Sequence, residues 1–547
     1  MSGDAAPSVG DEAGGSFVRN TAVMSVGTAL SRVTGFLRIA AIAWAIGIAE
    51  TRLASVYHLA NNTPNIIYEL ALGGVLSSVF VPVFVEWLQA RGRDEAWDVA
   101  RRVFTITLIA LSALTVIATV FAPWIIRLYT SGVPDDRRDA VIELGTFFLR
   151  WFMPQIVFYG IGAVATGLLN AHRRFAAPMF APILNNLIVI ATFATYALVA
   201  SHSDRTSLAP TPEKAILGVG TTLGVVAMTL ALWPSLRATG FRYRWMPAWR
   251  HEAVLKIAHL AKWTVVYVVV NQIAYLIVLI LASEEPGGVA AYTSAFILFQ
   301  LPHAIFTVSV FTALLPAMSS RWTQRDVDGF RDLLRLGIGS TAVIVIPAAA
   351  GLVALAQPIV RVLFQHGLTT SQSTVLVSDV LSLFALGLFP FSLFQLLTRS
   401  FYAMQDSRTP ALVNALGAVV HTVANVVFFF GLDLGVPGLA LGHAVGYAAA
   451  AAILLLLIRG RLGRVDGRAL ASVVGRTVLA SVVTGVVAWA VARGVAEALG
   501  TATLMSRLAQ VTAAVAAGVL AFLLAALMFR IEEVDALVRQ VRARWRA

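Results

Sequence analysis

Two arginines six residues apart stand inside a long apolar run, Gly27-Thr-Ala-Leu-Ser31-Arg32-Val-Thr-Gly35-Phe-Leu-Arg38. At the centre of a membrane helix each would cost about 2.5 to 3.5 kcal/mol on insertion scales, and an apolar residue would pack better, so the retained pair points to a function. Guanidinium groups bind phosphate and carboxylate oxygens through paired, charge-assisted hydrogen bonds. The chemistry on offer is the holding of an anion where the dielectric is low. On a regular helix the two side chains are about 120° apart and roughly 9 Å apart along the axis, so both can flank one cavity at two depths. The competing use is structural, with the arginines snorkelling or pairing with a distant Glu. Gly27, Ser31 and Gly35 form a stripe of small residues that permits close helix approach.

A second polar run follows, Asn61-Asn62-Thr-Pro64-Asn65, then Glu69 and Gly73-Gly74. Pro64 frees the carbonyl of Ala60, which predicts a break in the helix, tolerated where the helix lines a cavity or packs on protein. Glu69 can counter an arginine or take up a proton. Gln300-Leu-Pro302-His303 offers another polar kink, although a lone intramembrane His more often makes a helix contact than relays protons. Arg150, Gln155, Asn271, Gln272, Arg399 and the His421/Asn425 pair at i, i+4 are weaker candidates. One neutral oxygen and a ring nitrogen make that pair a hydrogen-bonding unit before a metal site. No metal site is expected. There is no cysteine, hence no disulfide or thiol chemistry, and no HExxH, P-loop or GxSxG motif. The sequence calls for no catalytic residues and no cofactor.

The elements that must carry these residues are membrane helices. Of 547 residues, 58% are hydrophobic and 13% charged, about half the charged fraction of soluble domains. That much apolar surface must face something other than water. Fourteen apolar runs can be counted, from 21–48 and 53–88 through 374–404 to 505–529, with no strand-like alternation, so the expected fold is an all-α integral membrane protein of fourteen transmembrane helices. The net charge of +12 is spread over short interhelical clusters, not gathered into the dense face that nucleic acid requires. Lys and Arg mark the cytoplasmic side. Even-numbered connections with the C-terminal tail hold 26 of them and odd-numbered connections eight, which predicts both termini in the cytoplasm.

Asn170-Ala-His-Arg-Arg-Phe-Ala-Ala-Pro178 is echoed by Tyr402-Ala-Met-Gln-Asp-Ser-Arg-Thr-Pro410 at an offset of 232, and Val79-Phe-Val-Pro82 by Ala313-Leu-Leu-Pro316 at 234. Each pair maps one helix onto the sixth after it. The expected organisation is a disordered cytoplasmic tail at 1–19, an N-lobe at 20–240, a C-lobe at 250–460, two appended helices at 461–530 and a basic cytoplasmic tail at 531–547. Lobes related in this way usually hold a substrate between them near mid-bilayer.

At Leu30-Ser-Arg32-Val-Thr-Gly35-Phe-Leu-Arg38, Asn61-Asn-Thr-Pro64-Asn65 and Gly73-Gly-Val-Leu-Ser-Ser-Val-Phe-Val-Pro82 the chain resembles the MurJ (MviN) family of lipid II flippases. The resemblance continues through Leu169–Pro178, Phe311–Pro316 and Phe401–Pro410. It implies the exporter fold of the multidrug/oligosaccharidyl-lipid/polysaccharide superfamily, a bacterial inner membrane location, a cationic cavity, and a groove with helices 13 and 14 for a polyprenyl tail. The implied partners are a lipid-linked peptidoglycan precursor and membrane lipids. Proteins of cell-wall synthesis are candidate protein partners, and the expected state is a monomer. Family members commonly carry an acid where this chain has Ile39, paired arginines near Tyr68 and Glu69, and an arginine near Ile297. Only Arg32 and Arg38 therefore carry over as cavity arginines. Asn61, Asn62, Asn65, Glu69, Gln300 and His303 complete the candidate substrate-binding set. Two alternatives stand beside a flippase: a cation-coupled drug antiporter, which would want acids, and a membrane scaffold that moves nothing.

Overall fold

The computed structural model describes residues 27, 30–50, 52–72, 80–172, 174–463 and 467–531. Among these residues the chain is almost wholly helical and has no strand. It divides into two compact units: residues up to Ile46 with Val56–Gln272, and Gly47–Ser55 with Ile273 onward. The first half of the chain forms α1 (30–46), α2 (Leu53–Leu72), α3 (Val81–Ala90), α4 (Arg93–Val120), α5 (Ala122–Tyr129), α6 (Asp135–Phe152), α7 (Gln155–Ala171), α8 (Ala176–Val199), α9 (His202–Thr206), α10 (Pro212–Leu230), α11 (Trp233–Arg237) and α12 (Glu252–Ser283). The second half forms α13 (Gly288–Pro302), α14 (Val308–Thr323), α15 (Val327–Phe364), α16 (Ser371–Leu386), α17 (Leu388–Ala403), α18 (Arg408–Val426), α19 (Gly435–Leu462), α20 (Gly467–Leu499) and α21 (Leu504–Met528).

Among the described residues eleven helical stretches are long and apolar enough to cross a bilayer, and α16 with α17, bent by 47°, makes a twelfth. Neither α1 nor α2 is one of them. Asn61, Asn62, Asn65 and Glu69 lower the hydropathy of α2, while the described part of α1, 30–46, is shorter than a full span. Large apolar side chains such as Leu198, Leu456 and Met528 stand exposed along the spans, as expected where acyl chains are the solvent. The division between the two units falls inside α12, at Gln272/Ile273. The appended helices α20 and α21 belong to the second unit.

The expected break at Pro64 does not occur. Pro64 is buried within an unbroken α2, and Thr63 Oγ1 donates to the carbonyl of Leu59 at 2.8 Å. A proline removes only one bond of the ladder, and packing on both sides can hold the helix through it. At Pro302 the outcome differs: α13 gives way to a π-helical turn, His303–Thr307, before α14 resumes. Such turns are a recognised cause of kinks. The two echoed sequence segments form the same turn. His172 N–H donates to Leu168 O and Arg174 N–H to Leu169 O, as Met404 N–H does to Ser400 O and Asp406 N–H to Phe401 O. Each bond recurs 232 residues on.

In the second unit α18 and α19 cross on glycine. A Cβ at Gly446 would come within 2.6 Å of His421 Cβ, and one at Gly442 would overlap Asn425 Oδ1. Gly475 on α20 has open space around it. Gly442→Ala is expected to destabilise the protein by roughly 1–3 kcal/mol through overpacking. Gly475→Ala should be neutral or stabilise by about 0.5–1 kcal/mol through helix propensity. Thermal unfolding of the two variants side by side tests the difference.

The segment Gly47–Ser55, which joins α1 to α2, is part of the second unit. Glu50 Oε2 accepts from the N–H groups of Ile48 at 2.7 Å and Ala49 at 3.1 Å, and Oε1 from Thr370 N–H at 2.5 Å and Ser373 Oγ at 2.7 Å. Burial alone would raise the Glu50 pKa; the hydrogen bonds from Ser373, Thr370 and Ile48 outweigh it and hold the carboxyl below its ordinary 4.5. A depressed folded pKa contributes stability above the unfolded value and loses it as pH falls through the folded one. The gap in melting temperature between wild type and Glu50→Gln should therefore be constant from neutral pH down to about 5 and close at lower pH.

Candidate functional site

The site is built on α1 and α2. α1 packs on α8 along its small-residue stripe: a Cβ at Gly27 would touch Met179 and Phe180, and one at Gly35 would meet Asn186 Nδ2. Buried Asn186 locks this crossing, donating from Nδ2 to Thr34 Oγ1 at 3.0 Å and to Ser31 O at 3.3 Å. The helix is thus held by neutral contacts, and its arginines are left for other work. Arg32 is exposed and Arg38 half-buried. Among the described residues neither forms an ion pair, and the buried Nε of Arg38 has no hydrogen-bond partner among them.

The Arg38 charge acts on Tyr57, His58 and Tyr159, none of which is an acid. Behind it lies a layer of satisfied polar groups. Tyr57 Oη pairs with Thr221 Oγ1 at 2.8 Å, and its ring is boxed edge-on by Phe148, Phe152 and Phe193. Tyr159 Oη donates to Gln155 Oε1 at 3.1 Å, and Gln155 Nε2 to Thr222 Oγ1 at 3.1 Å. Gln155, a weaker sequence candidate, is a fully buried link between α7 and α10.

On α2 the candidates continue a stripe that sequence reasoning entered one turn late. His58, Asn61, Asn62, Asn65 and Glu69 fall within about 60° of one another's mean direction at 100° per residue. His58 is buried, Asn61, Asn62 and Glu69 are half-buried, and Asn65 is exposed. The polarity grades from inside to outside along one helix face. Asn61 Oδ1 is buried without a hydrogen-bond partner among the described residues. The signal for His58 and Tyr57 was present in the sequence, since His58 stands at i−4 and i−7 to Asn62 and Asn65. Gly73 and Gly74 lie outside the described residues.

The remaining candidates lie in the second unit. His303 is buried in the π turn, its Nδ1 2.9 Å from Ser392 Oγ and its ring 4.6 Å from Phe391. It is engaged as a helix contact. Gln300 is half-buried one turn earlier. Arg399 is exposed over the rings of Phe311 and Tyr402, and Arg150 is exposed in the last turn of α6. His421 and Asn425 face α19, where the His421 and His443 rings are 5.7 Å apart. Among the described residues no group of three or more acidic, His or Cys side chains could hold a metal.

One apolar groove of about 290 Å3 opens in the second unit. Ala349, Ala350 and Val353 of α15 form one wall, Phe389 and Pro390 of α17 another, and Val478 and Val482 of α20 the third. The resemblance implies a groove with both appended helices. Here α20 lines it, and α21 packs behind, where a Gly518 Cβ would meet Ala488 and Thr484 of α20.

Eleven or twelve apolar spans among the described residues, two arginines on α1 and a polar face on α2 are the features of a multi-span membrane transporter. The fold agrees. It matches an inward-facing multidrug resistance MATE family transporter of the MOP superfamily with a TM-score of 0.63 and 17% identity, over 79% of this chain and 96% of that one. A structure titled lipid II flippase MurJ, inward closed conformation, matches with a TM-score of 0.73 and 21% identity, over 93% of this chain and 98% of that one. The family description "Lipid II flippase MurJ" matches residues 42–510, and the chain belongs to that family. It is similar to the probable lipid II flippase MurJ of Rhizobium meliloti (strain 1021), 28% identical over 82% of each chain. It is equally similar to the lipid II flippase MurJ of Burkholderia cenocepacia, 28% identical over 79% of this chain and 82% of that one. The family is one of transporters, not enzymes.

Proposed function

We propose that this chain moves lipid II, a cell-wall precursor on a polyprenyl diphosphate, from the cytoplasmic to the outer leaflet of the bacterial inner membrane by alternating access, with both termini cytoplasmic. The tail of such a lipid can remain in hydrocarbon throughout, so only the head needs shelter. Arg32 and Arg38 bind the diphosphate. Asn61, Asn62, Asn65 and Glu69 meet sugar and peptide groups along the polar face of α2. The groove of α15, α17 and α20 takes the prenyl tail. The fourteen-helix count follows if α1 and the α2–α3 segment each cross the bilayer.

The observation that carries this reading is a half-buried guanidinium, Arg38, with no ion pair among the described residues and a polar helix face beside it, in a chain of the lipid II flippase family. A drug antiporter would want acids where this face offers Glu69 alone. An anionic cargo and a cationic site favour coupling to membrane potential.

Charge-assisted hydrogen bonds contribute about 1.5–3 kcal/mol each, so losing one should weaken headgroup binding roughly 10- to 100-fold. In proteoliposomes carrying fluorescent lipid II, Arg32→Ala and Arg38→Ala are expected to abolish transport while the folded protein is retained. Transport at the wild-type rate in either variant would defeat the assignment. Val482→Trp should fill the tail groove, slowing transport of the full-length prenyl lipid and sparing a short-chain analogue. Equal slowing of both would remove the groove from the scheme.

A further inference from the structure

The apolar groove of the second unit continues into polar residues at one end. Ile346, Ala350 and Val353, which line it from α15, are followed on the same helix face by Gln357 and Arg361. The five recur at intervals of three or four residues and fall within about 80° of one another at 100° per residue. Val353 and Gln357 are exposed and Arg361 is half-buried. Arg361 stands about 12 Å beyond Val353 along the helix, at 1.5 Å per residue. From α21, Arg507 reaches the same end of α15, donating from Nε to Thr501 O at 2.8 Å and from Nη1 to Gln365 O at 3.1 Å. The Arg507 charge acts on Arg361, and among the described residues neither arginine forms an ion pair.

Two guanidinium groups beside each other without an acid repel, so the pair is costly to keep. Helix capping accounts for Arg507, which is tied to two backbone carbonyls. It does not account for Arg361, whose side chain forms no hydrogen bond among the described residues. Arginine is also scarce at this end of the helices. The odd-numbered connections hold only eight Lys and Arg, and the positive-inside bias turns them outward. One acid faces the line. Asp379 of α16 shares a helix face with the groove residue Leu386, two turns on, and is exposed without an ion pair among the described residues. Counted from the α15–α16 connection, it lies level with Gln357, about one turn deeper than Arg361. A carboxylate there repels phosphate and leaves the level of the two arginines as the place for an anion.

We propose that Arg361 and Arg507 form an outer-leaflet seat for the diphosphate of the prenyl lipid whose tail lies in the groove, occupied once the head has crossed. The inference rests on the transport reading above for the identity of its occupant. Along α15 an apolar wall, an amide and a guanidinium follow one another in the order in which chain and phosphate follow one another in such a lipid. Two guanidinium forks match two phosphates through charge-assisted hydrogen bonds. A bilayer phospholipid shares the phosphate chemistry, but it brings one phosphate to two cations and two chains to a groove of about 290 Å3.

Arg361 is the residue to change, because no hydrogen bond of its side chain holds the fold, whereas Arg507→Gln would release the carbonyls of Gln365 and Thr501. Full-length Arg32→Ala/Arg38→Ala protein, which lacks the proposed α1 contacts, is titrated with a polyprenyl diphosphate, the matching polyprenol and phosphatidylglycerol, and bound lipid is read by native mass spectrometry. The seat predicts that this protein retains the diphosphate less than wild type does, yet at least about tenfold better than the alcohol. Adding Arg361→Gln should weaken diphosphate retention roughly 10- to 100-fold and leave the alcohol unchanged. Arg361→Lys should restore most of it, and Asp379→Asn should strengthen it. Diphosphate retention indifferent to Arg361→Gln would overturn the seat, as would phosphatidylglycerol held as tightly as the diphosphate. In proteoliposomes Arg361→Gln alone should slow the appearance of lipid II in the outer leaflet, and a wild-type rate would also overturn the proposal. Wild-type protein that moves no lipid II while retention still depends on Arg361 would instead overturn the flippase reading and leave the seat standing.

Discussion

Arginine in hydrocarbon is expensive unless something answers its charge, and α1 keeps two of them without an ion pair among the described residues. A helix with its cations neutralised by acids would be cheaper to hold in place and useless for binding an anion. The cost is offset elsewhere, by the close approach of α1 to α8 over Gly27 and Gly35 and by the two hydrogen bonds of Asn186. Neutral groups fix the backbone so that charged groups remain available. The same division recurs around Arg38, where Tyr57 is hydrogen-bonded to Thr221, and Tyr159 to Gln155, which in turn donates to Thr222.

The rest of the first unit serves that arrangement. α2 presents its polar face from buried His58 to exposed Asn65 without breaking at Pro64, because the packing around Thr63 and Pro64 holds the helix through the missing bond. A polar face on an unbroken helix offers several hydrogen-bonding rungs. In the second unit the work is different. The π turn after Pro302 seats His303 against Ser392, and α20 closes an apolar groove against α15 and α17. In the proposed reading the charged and amide groups of the first unit take the head of the cargo and the apolar groove takes its tail.

Much of this was legible in the sequence because membrane helices announce themselves. Hydropathy located the eleven or twelve spans found among the described residues, and the echoed segments at 170–178 and 402–410 return the same pairs of backbone hydrogen bonds. Arg32 and Arg38 were legible because charge within an apolar run has few explanations. What the sequence concealed depends on neighbours distant along the chain. Whether Pro64 or Pro302 bends its helix is decided by packing, not by the proline. Gln155 and His303 read as site candidates, and their partners, Thr222 and Ser392, lie 67 and 89 residues away. Glu50 and Arg52 carry no sequence signal of their role, because the helix ends they meet lie 320 and 231 residues on.

The central claim is that the paired guanidinium groups recognise diphosphate. Native mass spectrometry of the purified protein with lipid II and with the matching neutral polyprenol tests it most directly. The account predicts that lipid II is retained, that the neutral alcohol is not, and that retention falls in Arg32→Ala and Arg38→Ala. Equal retention of both lipids, or retention of lipid II indifferent to the two arginines, would contradict it.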